Sequence, residues 1–326
     1  MSRRTAVIGC GDISRLHFKG LADNGAEVVA VCDTDPGRLA AAVPDLDVVR
    51  VSDHRELLDL DGLEVVHVAT PHNQHAPVAI DFLEAGIPVL TEKPIAASLA
   101  QADQFVEAAQ RTGTRTGVCF QNRYNAQAQA AKEIISSGRY GSVVAASGAV
   151  LWHRTREYYR SRPWRGSREG SGGGVLINQA IHTIDMLQWL VGDVTEVTGS
   201  AGTYGLGDVI EVEDTATVAM THGDGQVQSI LTATNLNRHN APVTVDIETE
   251  EAVLTMAQDL TVTLRDGTTE VIEGAPRATG PRSYWGNSHG QLIKEFHDQL
   301  DRTEPFWIDV AEGYKSLWIL KQVLGY

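Results

Sequence analysis

Over the first 120 residues, apolar runs alternate with amphipathic helical stretches, and few folds accommodate that alternation. TAVIGC is a continuous apolar run, a helical stretch follows, and EVVAVCD is a second apolar run ending in an acid. LEVVHVATP, IPVLTEKP and TRTGVCF repeat the theme, with APVAIDFLEAG and LAQADQFVEAAQRTG reading as helices between them. Strands that are apolar at nearly every position are buried on both faces, which calls for a parallel sheet with helices above and below it.

From about residue 123 the texture changes. SVVAASGAVLWH, VTEVTGSAGTY, DTATVAMTHG, GQVQSILTATN, PVTVDIETE, AVLTMA and DLTVTLRDG read as strands joined by Gly- or Asp-containing turns. Several alternate Thr or Ser with Val, Ile or Met, the pattern of an antiparallel sheet with one apolar and one polar face. Two helices, HGQLIKEFHDQL and DVAEGYKSLWILKQVL, close the chain. The expected architecture is α/β. A doubly wound parallel sheet over residues 1–122 precedes an α+β domain over 123–326 with an open, mostly antiparallel sheet. At 326 residues each part is long enough for its own core.

Gly9, Gly11 and Ser14 form G-x-G-x-x-S where the first strand meets the first helix. Gly9 permits a tight turn, and Gly11 lets the backbone approach a pyrophosphate at the helix N-terminus. Alone, the motif fits a plain strand–turn–helix as well as a Rossmann dinucleotide site. Asp33 ends the second strand, twenty-two residues after Gly11, where a carboxylate binds both hydroxyls of an adenosine ribose and repels a 2′-phosphate. That favours NAD over NADP, although Arg38 lies close by. Asp33 could equally do no more than open the turn DTDPG.

Two further motifs lie at strand ends, where doubly wound sheets place their ligands. They are A-T-P-H-N-Q-H at 69–75 and E-K-P at 92–94. The residues expected to bind the cofactor are Gly9, Gly11, Asp12, Ile13, Ser14 and Asp33 at the first two strand ends, and Thr70, Pro71, Asn73, His75, Glu92 and Lys93 at the next two. The loop at 72–75 could equally be a surface turn, and a lysine at a strand end is usually just solvated. Farther on, GGGVLINQAIHTIDMLQWLVG sets Asn178, His182 and Asp185 at spacings of four and three on an otherwise apolar helix, hence on one face. Read alone, a histidine on such a helix is more often a core residue than a catalytic one.

The ordered set of motifs resembles the glucose–fructose oxidoreductase/inositol dehydrogenase/rhizopine-catabolism family, Gfo/Idh/MocA, over essentially the whole chain. The resemblance rests on V-I-G-C-G-D-I-S with His17, C-D at 32–33, A-T-P with the histidines after it, E-K-P, and G-G-G-x-L-x-N-Q-A-x-H-x-x-D. The tail motifs G-x-S-H-x-x-L-I-x-x-F and A-E-G-x-K-S-L belong to it as well. It implies an NAD(P)-dependent oxidoreductase acting on a secondary hydroxyl or ketone of a sugar, polyol or sugar derivative. Lys93 and His182 would then be the catalytic residues beside the nicotinamide. A neutral imidazole with a pKa of about 6.5 is suited to take the hydroxyl proton, and an ammonium can hold the oxygen. Many relatives carry Asp four residues before the histidine. Here it is Asn178, which can hydrogen-bond a substrate hydroxyl and cannot exchange a proton. Asp185 would orient the imidazole or cap nearby backbone. The resemblance also implies a homodimer or homotetramer built through the open face of the second-domain sheet.

W-H-R-T-R-E-Y-Y-R-S-R-P-W-R-G-S-R-E-G, residues 152–170, carries six arginines against two glutamates. Either these arginines bind an anionic substrate bidentately, or they pair with acids of this or a neighbouring subunit. Arg165, Tyr158 or Tyr159, and Arg123 in Q-N-R-Y-N are the expected pocket residues. A net charge of −15 argues against a nucleic-acid partner. Cys10, Cys32 and Cys119, each among apolar strand residues, read as buried thiols in a reducing compartment. The opening residues enter a strand at once and no apolar run approaches eighteen residues, so a cytoplasmic, membrane-free location is expected. No cluster has metal spacing, and no metal is expected. Two rivals share these features: a nucleotide-sensing regulator without catalysis, and a glycosidase that uses NAD for transient oxidation.

Overall fold

The structure, a computed structural model, describes residues 2–274 and 288–326. Gly286 of the tail motif lies outside the described residues. The chain forms two compact units, Met1–Gln121 with Ser288–Tyr314, and Asn122–Asn287 with Lys315–Tyr326.

The first unit is built from β1 (Arg4–Ile8), α1 (Ser14–Asp23), β2 (Glu27–Cys32), α2 (Pro36–Ala41), β3 (Val49–Val51), β4 (Val65–Val68), α3 (His72–Glu84), β5 (Val89–Thr91), α4 (Leu99–Thr112) and β6 (Thr116–Val118). All six strands are parallel in the order β3-β2-β1-β4-β5-β6. This is the doubly wound order with its switch point between β1 and β4. Val7, Ala30, Val31, Val66, Val68, Val89 and Leu90 are fully buried, as strands covered on both faces must be. Local chemistry sets the helix ends. Asp35 caps α2 by accepting from Gly37 and Arg38 N–H, and Ser98 caps α4, which stops at left-handed Gly113.

The second unit contains α5 (Ala126–Ser137), β7 (Val143–Leu151), α6 (Arg156–Arg160), α7 (Arg168–Ser171), α8 (Ile181–Val191), β8 (Val194–Gly202), β9 (Thr215–His222), β10 (Val227–Thr234), β11 (Thr244–Thr249), β12 (Ala252–Met256), β13 (Leu260–Leu264) and β14 (Thr269–Ile272). These eight strands order as β14-β13-β12-β11-β7-β10-β9-β8, antiparallel except where β10 runs parallel to β7. In β9 the side chains of Ala216, Val218, Met220 and His222 are buried and those between them are more exposed, the alternation expected of T-A-T-V-A-M-T. One register row runs across the open face through Thr198, Ala219, Ile230, Ser147, Asp246, Thr255, Thr261 and Val271. Ile230 and Val271 on it are more than half exposed.

Two helices follow, α9 (His289–Asp298) and α10 (Val310–Leu324). The sequence division at residue 123 assigns α9 to the second part, whereas α9 belongs to the first compact unit. The reason is local. Gly20 of α1 and Gly117 of β6 lack side chains where Ile293 and Phe296 of α9 pack. Among the described residues no helix is long and apolar enough to cross a membrane.

Candidate active site

Four neighbouring strands of the first unit, β2, β1, β4 and β5, bring Asp33, the glycine turn, Thr70 and Glu92–Lys93 to consecutive carboxyl ends. Gly9 has φ of +92°, and a Cβ there would stand 2.6 Å from Ala69 O and 2.8 Å from Thr70 N. Only glycine lets β1 and β4 end side by side. A Cβ on Gly11 would meet open space. Ser14 Oγ donates to Gly11 O at 2.7 Å, and no side chain caps α1 at Ile13. The start of α1 therefore has no side-chain acceptor for its first N–H groups. Thr70 Oγ1 is buried without a partner among the described residues.

Asp33 accepts from Cys10 N at 2.8 Å and from Asp35 N at 2.8 Å. These hydrogen bonds shape the turn and fix the carboxylate, and each oxygen has a second lone pair. Arg38 Nε lies 3.6 Å from the α2 cap Asp35. Asp12 and Ile13 form the turn itself, and Asn73 O accepts from Gln101 Nε2.

Two expected cofactor contacts turn inward instead. His75 is buried, and its ring nitrogens meet Pro94 O at 2.6 Å and Thr70 O at 2.8 Å. It ties the T-P and E-K-P turns together through main chain. Burial holds its pKa below the ordinary histidine value. Glu92 is buried as well, with Oε1 3.0 Å from His17 Nε2 and 3.5 Å from His289 Nε2. Cys119 is close enough that His17, Glu92 and Cys119 place one donor atom each within 4.8 Å of one another. The Lys93–Pro94 peptide is cis. The three cysteines are free. Burial pushes Cys10 and Cys32 up to about 12, and burial with Glu92 alongside holds Cys119 well above its usual value.

His17 Nδ1 meets His67 Nδ1 at 2.9 Å, and His67 Nε2 meets His297 Nε2 at 2.9 Å. Burial brings His297 down to about 4 and holds His67 well below the ordinary 6.5. Unfolded histidines take up protons near pH 6.5 that the folded chain refuses until about pH 4. Stability is therefore expected to fall as pH drops from 6.5 to 4, with His297 alone contributing up to about 3 kcal/mol. Urea unfolding at pH 7 and pH 4.5 checks this. The loss should be smaller in His297→Gln, and an equal loss in both proteins would remove His297 as its source.

In the second unit the three glycines precede a five-residue π turn, Leu176–Ala180, that runs into α8. The turn is held from a distance. Glu213 accepts from Gly174 N at 2.8 Å and Leu176 N at 2.9 Å through its carboxylate, and from Val175 N at 2.9 Å through its carbonyl. One residue thus satisfies three consecutive N–H groups at a helix start. A Cβ on Gly174 would stand 1.8 Å from Glu213 O. Burial pushes the Glu213 carboxyl up, and these N–H groups oppose the shift. Nothing in the local sequence signals this role, because the capping residue lies 37 to 39 positions away.

Between Leu176 and Gln188 only Asn178 and His182 are partly exposed. Asn178 Nδ2, however, lies 2.9 Å from Ser171 Oγ, 3.1 Å from Gly174 O, 3.2 Å from Gly173 O and 3.4 Å from Arg165 O. Its amide N–H groups hold the glycine loop. Asp185 does not share the exposed face. It is fully buried in a bidentate pair with Arg123, at 2.9 Å to Nε and 2.6 Å to Nη2, and also accepts from Ser316 Oγ at 3.3 Å. Arg123 adds a bond to Gln188 Oε1 at 3.3 Å. Both residues of this pair are buried, contrary to the expectation that Arg123 lines the pocket.

The arginine-rich segment divides in the same way. Arg156 pairs with Asp208 on the surface, and Arg168 donates to Glu211. Tyr159 is buried, its hydroxyl accepting from Asn235 Nδ2 at 2.9 Å, so it belongs to the core. Tyr158 is the partly exposed member of the pair. The guanidiniums of Arg154 and Arg165 stand 5.2 and 4.6 Å from its ring centroid.

Comparison with known proteins agrees with this architecture. Residues 3–120 match the model of an oxidoreductase family with an NAD-binding Rossmann fold, and residues 128–255 match a GFO/IDH/MocA C-terminal domain. The D-apiose dehydrogenase of Paraburkholderia graminis is 30% identical over 279 residues, 83% of this chain and 72% of that protein. An inositol 2-dehydrogenase of Streptomyces avermitilis is 35% identical over 201 residues, 59% of this chain and about half (54%) of the relative. Among solved structures, the WlbA dehydrogenase from Bordetella pertussis in complex with NADH and UDP-GlcNAcA aligns over 99% of this chain and 95% of that one. Its TM-score is 0.84 at 29% identity. A levoglucosan dehydrogenase in complex with NADH shares the fold at a TM-score of 0.86 and 21% identity, covering 100% of this chain and 96% of that one. Both halves of the sequence match, and the chain belongs to the Gfo/Idh/MocA family of oxidoreductases.

Proposed function

We propose that this protein is an NAD-dependent dehydrogenase acting on a secondary hydroxyl, or the matching ketone, of a sugar, polyol or sugar derivative. The observation that carries this reading is the row of strand ends β2-β1-β4-β5, which sets an acid, an uncapped helix N-terminus, an orphaned hydroxyl and Lys93 side by side. The names of the relatives support it. Residues 1–122 hold the cofactor, and 123–326 supply the substrate side and the assembly surface.

When bound, NAD supplies the acceptor for the hydride lost from carbon. The N–H groups of α1 hold its pyrophosphate, Asp33 accepts from the adenosine ribose hydroxyls, and Thr70 Oγ1 gains a partner. The Lys93 ammonium holds the substrate oxygen and favours its negative charge as the proton leaves. His182 accepts that proton. Tyr158 offers an apolar ring face to a sugar, and Arg165 gives an anionic substituent a charged partner. Ile230 and Val271 on the open row of the second-unit sheet support a homodimer or homotetramer. Light scattering on the native chain tests the assembly, and a monomer would exclude it.

The test of function is absorbance of the reduced nicotinamide with NAD and with NADP over inositols, aldoses, uronic acids and nucleotide sugars. Turnover is expected with NAD. Asp33→Ser is expected to lower the preference for NAD over NADP by about 10- to 100-fold, the worth of one charged hydrogen-bond acceptor set against a phosphate. Tight NAD binding without turnover of any member would favour a sensor. Release of an aglycone without net reduction would favour the glycosidase chemistry.

A further inference from the structure

The line of hydrogen bonds Glu92–His17–His67–His297 threads from the end of β5 through α1 and β4 to α9. His17 and His67 are fully buried, and Glu92 and His297 nearly so. Its direction follows from donor and acceptor capacity. An ionised Glu92 only accepts, so His17 donates Nε2–H to it and keeps a lone pair on Nδ1. His67 must then donate Nδ1–H to His17 and accept at Nε2. His297 must donate Nε2–H to His67, which leaves its own Nδ1 as the terminal acceptor. Every ring is neutral and every contact is satisfied. The opposite order satisfies every contact equally well, provided that Glu92 carries a proton. Two complete patterns therefore differ by one proton on Glu92 and by the tautomer of all three rings.

We propose that this line is a proton relay that sets the charge of Glu92, the neighbour of Lys93, from His297. A proton taken up at Nδ1 of His297 shifts three others by one place. Nε2–H of His297 passes to Nε2 of His67, Nδ1–H of His67 passes to Nδ1 of His17, and Nε2–H of His17 passes to Oε1 of Glu92. The reverse shift returns the proton to solvent and leaves the carboxylate ionised. No oxidant or reductant is required.

The surroundings of the two ends favour the resting pattern, with Glu92 ionised, so the protonated pattern is the transient one. Glu92 faces His17 from α1, His289 from α9, Cys119 after β6 and the backbone N–H of Lys93 at 3.3 Å. Burial raises its carboxyl, but the hydrogen bond from His17, with His289 alongside, outweighs burial and holds it well below the carboxylate range. His297 faces Arg3, Asp298, Glu64 and His17. Arg3 is itself tied to Glu64 at 2.9 Å and to the exposed Asp301, so this end meets a polar rim. Glu92 and Lys93 act in opposite directions on the same thiol, Cys119. With the relay's proton on Glu92, one negative charge is withdrawn from beside the E-K-P turn that carries Lys93. A substrate oxygen held by Lys93 would thus be served by a proton store outside the substrate site.

This use of the relay rests on the dehydrogenase reading, while the relay itself does not. Nitrogen-15 NMR of the chain labelled at histidine, without cofactor or substrate, reads the tautomers directly. The expected resting pattern is Nε2–H on His17, Nδ1–H on His67 and Nε2–H on His297. Any other pattern overturns the relay, as would stoichiometric zinc on His17, Glu92 and Cys119 in the purified protein. His297→Gln keeps an N–H donor for His67 but cannot pass a proton. It is expected to hold native stability at pH 7, lower kcat about tenfold and move the pH profile. His297→Ala should lose as much and regain it with added imidazole. His67→Phe cuts the line at its centre. If the pH profiles of folded His67→Phe and His297→Gln coincide with that of the native protein, the relay is refuted even where the tautomers are as expected. Absence of turnover in the native protein refutes the dehydrogenase reading and leaves the NMR result to decide the relay.

Discussion

Lys93→Met is expected to lower kcat/KM for the physiological alcohol by about 10³-fold, within the range for losing a positioned acid or base, while NAD affinity changes by less than about twofold. Lys93 ends β5 in the E-K-P turn, and that turn is fixed without the ammonium. His75 holds Pro94 O, and Glu92 is anchored by His17. Methionine keeps most of the aliphatic stem and removes the charge, so the fold and the nucleotide turn at β1 should persist. Titration of NADH fluorescence reports binding, and initial rates report turnover. A loss confined to KM would assign Lys93 to holding substrate alone. A parallel loss of NADH binding would place it in the cofactor site.

Arg123→Met should destabilise the protein by about 3 to 5 kcal/mol, because it leaves the Asp185 carboxylate buried and unpaired. Both side chains are about 1% exposed and their pairing is bidentate. The pair also receives Ser316 and Gln188. Urea unfolding measures the effect. The double variant Arg123→Met/Asp185→Leu should recover most of the loss, since two apolar groups of similar volume replace a desolvated pair. A loss below about 1 kcal/mol in the single variant would mean that Asp185 finds water or another donor.

These two cases show where the sequence speaks and where it is silent. Continuous apolar runs such as TAVIGC leave a parallel strand little alternative, so the first sheet is legible from periodicity alone. The positions of Gly9, Thr70 and Lys93 at strand ends are legible because each directly follows such a run. Asp185 is misread because helical spacing gives azimuth but not depth. It shares a face with His182 on paper, yet the last helix and Arg123 cover it. Tyr158 and Tyr159 cannot be told apart by type, and only the fold buries one of them. Glu213 and His297 are invisible for a different reason. Each acts on a residue far away in the chain, and no local rule links a carboxylate to N–H groups nearly forty positions before it.

The π turn at Leu176–Ala180 carries a consequence for how this protein can change. A π turn is an α-helix with one residue inserted, so removing any one residue between 176 and 180 would restore regular winding. Everything before the deletion would then rotate by about 100° relative to α8. Ser171 and the glycines would swing away from the face that carries His182. Lineages that drift by substitution can explore the site, whereas those that shorten this helix by one position must rebuild it. The length of residues 172–182 should therefore be more tightly constrained than their identities.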